Sequence, residues 1–144
     1  MPDYQSSRIY CLRAPGTDMV YIGSTTQTLS RRFSAHESDY KLFQQGKKQY
    51  LSSFKLLEIP GHYIELLEEF PCYNKEQLNK REGELIRAHA SCVNKQVAGR
   101  SRGEYQQDNK DAINEYRRKR FAENREAMCA YHREWRLKKK LQQK

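Results

Sequence analysis

No run of about 18 consecutive apolar residues, the length a membrane-spanning helix needs, occurs in this 144-residue sequence. Residues 1–7 also lack the apolar core of a signal peptide. A membrane span and a secretory leader are both unexpected, and the sequence reads as that of an intracellular protein, nucleus and cytoplasm left open. Cys11, Cys72, Cys92 and Cys129 lack the close pairing of a zinc knuckle or ribbon. A reducing compartment leaves such residues as thiols, so no chemistry is assigned to them. Apolar residues are scarce as well: 37% are hydrophobic against 31% charged, and mean hydropathy is -1.05. A chain this polar keeps part of itself outside any core, and its length suits one small core with an extension rather than two full domains.

Charge is abundant and unevenly placed. Residues 1–99 hold 13 Lys and Arg against 11 Asp and Glu, whereas residues 100–144 hold 14 against 7. Most of the net +9 therefore sits in the last third. A basic field of this kind attracts polyanions, chiefly nucleic acid, although anionic membranes and acidic proteins respond to it too.

Residues 8–13 and 19–23 are short β-branched and aromatic runs separated by a Pro15-Gly16 turn, the pattern of a hairpin. Thr28 caps a helix whose stripe is Leu29, Phe33, Tyr40 and Phe43, running to about Gly46. Residues 50–57 read as a short helix and residues 62–70 as a third strand. Asn74, three residues ahead of Gln77, opens a second long helix to about His89, with Leu78, Leu85 and Ile86 on one face. Residues 99–109, rich in Gly, Ser, Arg, Gln and Asp, read as a linker between a domain of residues 1–98 and an extension of residues 110–144. The extension has no Pro or Gly and reads as helix, with Ile113-Asn-Glu-Tyr116 weakly echoed by Met128-Cys-Ala-Tyr131.

Glu82 is the most informative position, because it lies one turn from both Leu78 and Ile86 on the face meant for burial. A carboxylate there is satisfied either by a cation or by a helix rotated enough to reach water. Arg32 and His36, four residues apart, line one edge of the Leu29 and Phe33 stripe. Alone they read as a solvated cationic edge, and Tyr10 and Tyr21 as strand aromatics filling a core.

The order of these residues resembles the GIY-YIG nuclease family. Arg8-Ile9-Tyr10 is similar to its first signature tripeptide, and Tyr21-Ile22-Gly23 matches its second. Arg32 and His36 fit the arginine and the residue four later that the family carries on its first helix, with Arg31 as the alternative arginine. Arg81-Glu82-Gly83-Glu84 is similar to the acidic second helix, and Cys92-Val93-Asn94 to the segment that closes the site. The departure is Arg8, where the family has glycine. A side chain there could crowd the neighbouring strand or the substrate.

The resemblance implies an α+β domain with a three-stranded antiparallel sheet flanked by helices, plus the basic C-terminal helical extension. It implies an endonuclease that hydrolyses phosphodiester bonds in DNA, RNA not excluded, to 5′-phosphate and 3′-hydroxyl ends. Glu82 would hold a single Mg²⁺ or Mn²⁺, Arg32 would bind the scissile phosphate, and Tyr10 would be the general base. Tyr21 and His36 would orient water or relay a proton, and Asn94 would brace the site. As a base, Tyr10 must ionise well below its ordinary value near 10, through Arg32 and the metal. In the extension, Arg117, Arg118, Lys119, Arg120, Trp135, Lys138, Lys139 and Lys140 are the candidates for gripping phosphates and stacking on bases. Two rivals are a fold of this type that binds nucleic acid without cutting it, and an arm that recruits an acidic partner or a membrane.

Overall fold

The computed structural model describes residues 1–142, which form two compact units that divide between Arg100 and Ser101. The first is an α+β domain. Strand β1 (Arg8–Arg13) is central in a three-stranded antiparallel sheet, flanked by β2 (Tyr21–Thr25) and β3 (Tyr63–Glu69). The chain turns between β1 and β2 through Gly16 at φ 77°, a left-handed conformation that costs glycine nothing. β2 begins two residues later than the apolar run alone predicts, because Val20 bridges to Cys92 instead of joining the hairpin.

Alternation along β1 decides what each face of the sheet buries. Ile9 and Cys11 point to one side, where Ile22, Leu78 and Ile86 complete a core beneath helix α3 (Lys75–Ala88). Tyr10 and Leu12 point to the other, against helix α2 (Phe54–Leu57) and the stripe of helix α1 (Leu29–Gln44). A central strand covered on both faces must be apolar at nearly every position, and β1 is buried throughout except at its ends, Arg8 and Arg13.

The helix ends follow from their side chains. Thr28 Oγ1 accepts from Arg31 N at 3.4 Å and starts α1. Gly46 at φ 71° ends it, its N–H donating to Phe43 O at 2.9 Å and that of Lys47 to Leu42 O at 2.9 Å. Asn74 Oδ1 accepts from Gln77 N at 3.0 Å, and Gln77 reaches back one residue further, its Oε1 accepting from Tyr73 N at 2.9 Å.

In the second unit, helix α4 (Arg102–Asp108) occupies the stretch that reads as linker. Ser101 and Glu104 cap each other's backbone N–H groups, which offsets the poor helix propensity of Ser, Gly and Asp. Helices α5 (Lys110–Glu123) and α6 (Arg125–Gln142) follow, broken at Asn124, whose Nδ2 donates to Arg120 O at 3.0 Å. No residue of 101–141 is buried. No helix among the described residues is long and apolar enough to cross a membrane.

Candidate active site

β2 is an edge strand, so its outer backbone groups need partners from outside the sheet. Asn94 supplies them: its Oδ1 accepts from Ile22 N at 2.9 Å and its Nδ2 donates to Ile22 O at 2.8 Å. A side-chain amide thus takes the place of a neighbouring strand residue, and Val93 N donating to Val20 O at 2.8 Å holds the segment in line. Along this edge lies a cavity of about 570 Å³ lined by Tyr21, Arg32, His36, Glu82 and Asn94, together with Asp39, Lys95 and Arg100.

Tyr10 sits behind that wall, fully buried, with its oxygen at the centre of the arrangement. Arg32 Nε donates to it at 2.8 Å, and His36 Nε2 lies 2.7 Å away. A guanidinium only donates, so within this cluster His36 Nε2 is the atom able to accept the phenol's own proton, in the tautomer protonated at Nδ1. Burial pushes the Tyr10 phenol well above its ordinary value, and the nearby Arg32 charge only partly opposes this. Arg32 by itself does not lower the phenol, because desolvation outweighs the single cation beside it. Burial, reinforced by Arg32, holds His36 down to about 4, so the imidazole is neutral at ordinary pH. Tyr21 packs edge-on against His36 with ring centroids 5.7 Å apart, and burial raises its phenol too.

The tyrosine ring fits because its partner across the hairpin is Gly23. A Cβ at that position would stand 2.5 Å from the Tyr10 hydroxyl oxygen. Arg8, by contrast, does not crowd the cavity. Its Nη1 donates to Ser6 O at 3.1 Å and its Nε lies 3.8 Å from Glu69. Arg31 is exposed, so of the two candidate arginines only Arg32 meets Tyr10.

Glu82 reaches the same cavity from α3. Ser24 Oγ donates to its Oε2 at 2.5 Å, and burial raises its carboxyl while that bond and the Arg32 charge pull it back. Glu84, two residues on, is exposed and paired with Arg81. Among the described residues no group of three or more His, Cys, Asp or Glu could hold a metal. The donors are those a hard cation with one protein ligand uses: one carboxylate oxygen on a polar wall, and space for waters and substrate oxygens.

Four residues not singled out in the sequence complete the geometry. Ser24 orients the carboxylate. Gly83 lets the chain cross α3, because a Cβ there would meet Ala98 O at 2.2 Å, and Gly99, at φ 64°, packs on Asn79 and Lys80 in the same crossing. A glycine within a helical pattern is the signal that marked this contact. Asp39, one turn beyond His36, forms an ion pair with Lys48 on the cavity wall.

No family model matches the chain, and no curated protein matches it. One solved structure, a mutant of the catalytic domain of intron endonuclease I-TevI, is similar at 22% identity and a TM-score of 0.46, over 58% of this chain and 82% of that one.

The basic candidates of the extension belong to the second unit. Arg117, Arg118, Lys119 and Arg120 lie on α5, all exposed. On α6, Lys139 Nζ stands 5.1 Å from the centre of the Trp135 ring, and Lys138 lies 3.8 Å from Glu134. Lys140 is exposed beside them.

Proposed function

We propose that this chain is a divalent-metal-dependent endonuclease of the GIY-YIG type that hydrolyses phosphodiester bonds in DNA to 5′-phosphate and 3′-hydroxyl ends. Residues 1–98 would be its nuclease domain and residues 110–144 its nucleic-acid-binding extension. The observation that carries this reading is the convergence of Arg32, His36, Tyr21, Glu82 and Asn94, from four separate segments, on one polar cavity with the Tyr10 oxygen bridging Arg32 and His36.

Hydrolysis at phosphorus needs a positioned cation for the phosphoryl oxygens, a proton acceptor for the attacking water and charge relief at the departing oxygen. Arg32 commits Nε to Tyr10, which fixes the plane of its guanidinium and leaves its terminal amino groups for two oxygens of the scissile phosphate. His36, held neutral, is the base within the cluster. Its Nε2 would take the Tyr10 proton as the phenol oxygen takes one from the attacking water, so that the water's oxygen is freed to attack phosphorus and no separate phenolate forms beside Arg32. Tyr21 borders the cavity and orients water there, while Asn94 keeps β2 from moving. Glu82 would hold Mg²⁺ or Mn²⁺, which supplies charge that stabilises phosphoryl oxygens and eases deprotonation of water.

The test is nicking of supercoiled plasmid by the full chain with Mg²⁺, with and without chelator, alongside Glu82→Ala. Cleavage by the wild type, its loss on chelation, and a fall of about a thousandfold in the variant with DNA binding retained are expected. Undiminished cleavage by Glu82→Ala would sink the mechanism. DNA binding by the wild type without nicking would leave a binding module in place of an enzyme.

A further inference from the structure

A second cavity, of about 360 Å³, opens on the other side of Arg32. Arg32 lines both cavities, and the Ser24 hydroxyl that borders the second is bonded to Glu82 in the first. The partition between them is therefore Arg32 and the Ser24–Glu82 pair. Their chemistry differs. The first has the carboxylates of Asp39 and Glu82 on its wall, whereas no Asp or Glu lines the second.

What the second cavity does present is Lys75 and Arg32 as cations, Gln27 and Asn79 as polar donors, the Ser24 hydroxyl oxygen, and Tyr4 as an aromatic side. Gln27 immediately precedes the cap of α1, and Lys75 is the first residue of α3, so the positive ends of two long helices border the same space. Donors and positive charge without an acid suit a phosphate, and a volume within the usual range of ligand clefts (roughly 300–1,000 Å³) leaves room for the sugar and base attached to it. Successive phosphates of one strand are separated by roughly 3.4 Å along the helix axis. A strand whose scissile phosphate rests on Arg32 in the first cavity thus brings its neighbouring nucleotide to the second.

We propose that the cavity bounded by Tyr4, Ser24, Gln27, Arg32, Lys75 and Asn79 is a subsite for the nucleotide next to the scissile phosphate, with Lys75 holding its backbone charge. This rests on the nucleic-acid reading of the neighbouring cavity. Lys75 is the residue to change, because an acid in the first turn favours the helix, and Lys75→Glu alters the charge without weakening α3. Lys55, exposed on α2 and bordering neither cavity, is the control.

The experiment measures binding of a fluorescein-labelled DNA duplex to the full-length wild type, Lys75→Glu and Lys55→Glu over a range of salt without divalent cation, with plasmid nicking run in parallel. Lys75→Glu is expected to weaken binding roughly tenfold and to reduce the salt slope by about one phosphate equivalent, Lys55→Glu to do distinctly less. Equal effects of the two reversals overturn the subsite, even where the wild type nicks DNA. The expected difference without nicking removes the nuclease reading and keeps the subsite. No binding of the duplex by the wild type overturns both.

Discussion

The two units of this protein use the same residue types in opposite ways. In the first, Arg32 is half-buried, gives one nitrogen to Tyr10, and faces a cavity whose other walls include β2, α3, residues 50–53 and the segment around Asn94. In the second, Arg117, Arg118 and Arg120 stand exposed on a helix with no buried residue. A buried cation is defined by its position, because its partners and the low local dielectric fix what it can do. An exposed one is defined by the charge around it, and its neighbours can replace it. Chemistry that needs oriented donors belongs to the first kind of surface, and attraction of a polyanion to the second.

The sharpest way to break this contrast is to change Arg32 while keeping its charge. Arg32→Lys retains the cation but cannot donate to Tyr10 and present two further donors in one plane. We expect cleavage to fall on the order of a hundredfold at saturating DNA, with affinity for DNA little altered. Full activity in the lysine variant, measured by single-turnover nicking, would mean that charge alone serves in the cavity as it does in the arm.

Acid stability tests the same contrast through His36. Its folded value of about 4 lies below the 6.5 of the exposed side chain. The unfolded chain therefore binds a proton more readily than the folded one between these values. The contribution is fully present above pH 6.5 and lost as the pH falls toward 4, by at most on the order of 3 kcal/mol. Glu82, raised by burial, acts in the opposite sense, since its protonation relieves a desolvation cost in acid. Urea unfolding of the wild type and His36→Gln at steps from pH 7 to 4 should show the variant losing less stability. Parallel curves would mean that the imidazole reaches water, as the exposed His132 of α6 does.

Much of the first unit was legible in its sequence because each element there serves one constraint. The hairpin, the caps at Thr28 and Asn74 and the buried face of Leu78 and Ile86 follow from period, turn and capping rules. Tyr10, Arg32, His36 and Glu82 could be named from their order, and the structure brings them to one cavity wall and the cluster behind it. The direction of the Tyr10 shift was not legible, because it depends on how completely the ring is buried, a property of the assembled core. The roles of Ser24 and Gly83 are not legible for the same reason: each matters through a contact with a residue more than ten positions away. In the second unit, the composition of α4 is poor for helix and reads as linker, and its reciprocal cap decides the outcome.

The smallest effects should come from the arm, and their pattern matters more than their size. Residues 110–144 hold 12 Lys and Arg against 5 Asp and Glu, so neutralising one cation leaves most of the field in place. Arg118→Ala should lower DNA affinity by a few-fold, reduce the salt slope by about one, and do so alike for unrelated sequences. Trp135→Ala removes no charge, so any loss it causes should persist at high salt and leave the slope unchanged, as stacking on bases requires. Lys139, whose ammonium stands over the Trp135 ring, links the two behaviours, and Lys139→Ala should show a little of each. If instead a single arm substitution abolished cleavage at saturating DNA, the arm would be acting by position, as the cavity does, and the division between the units would fail.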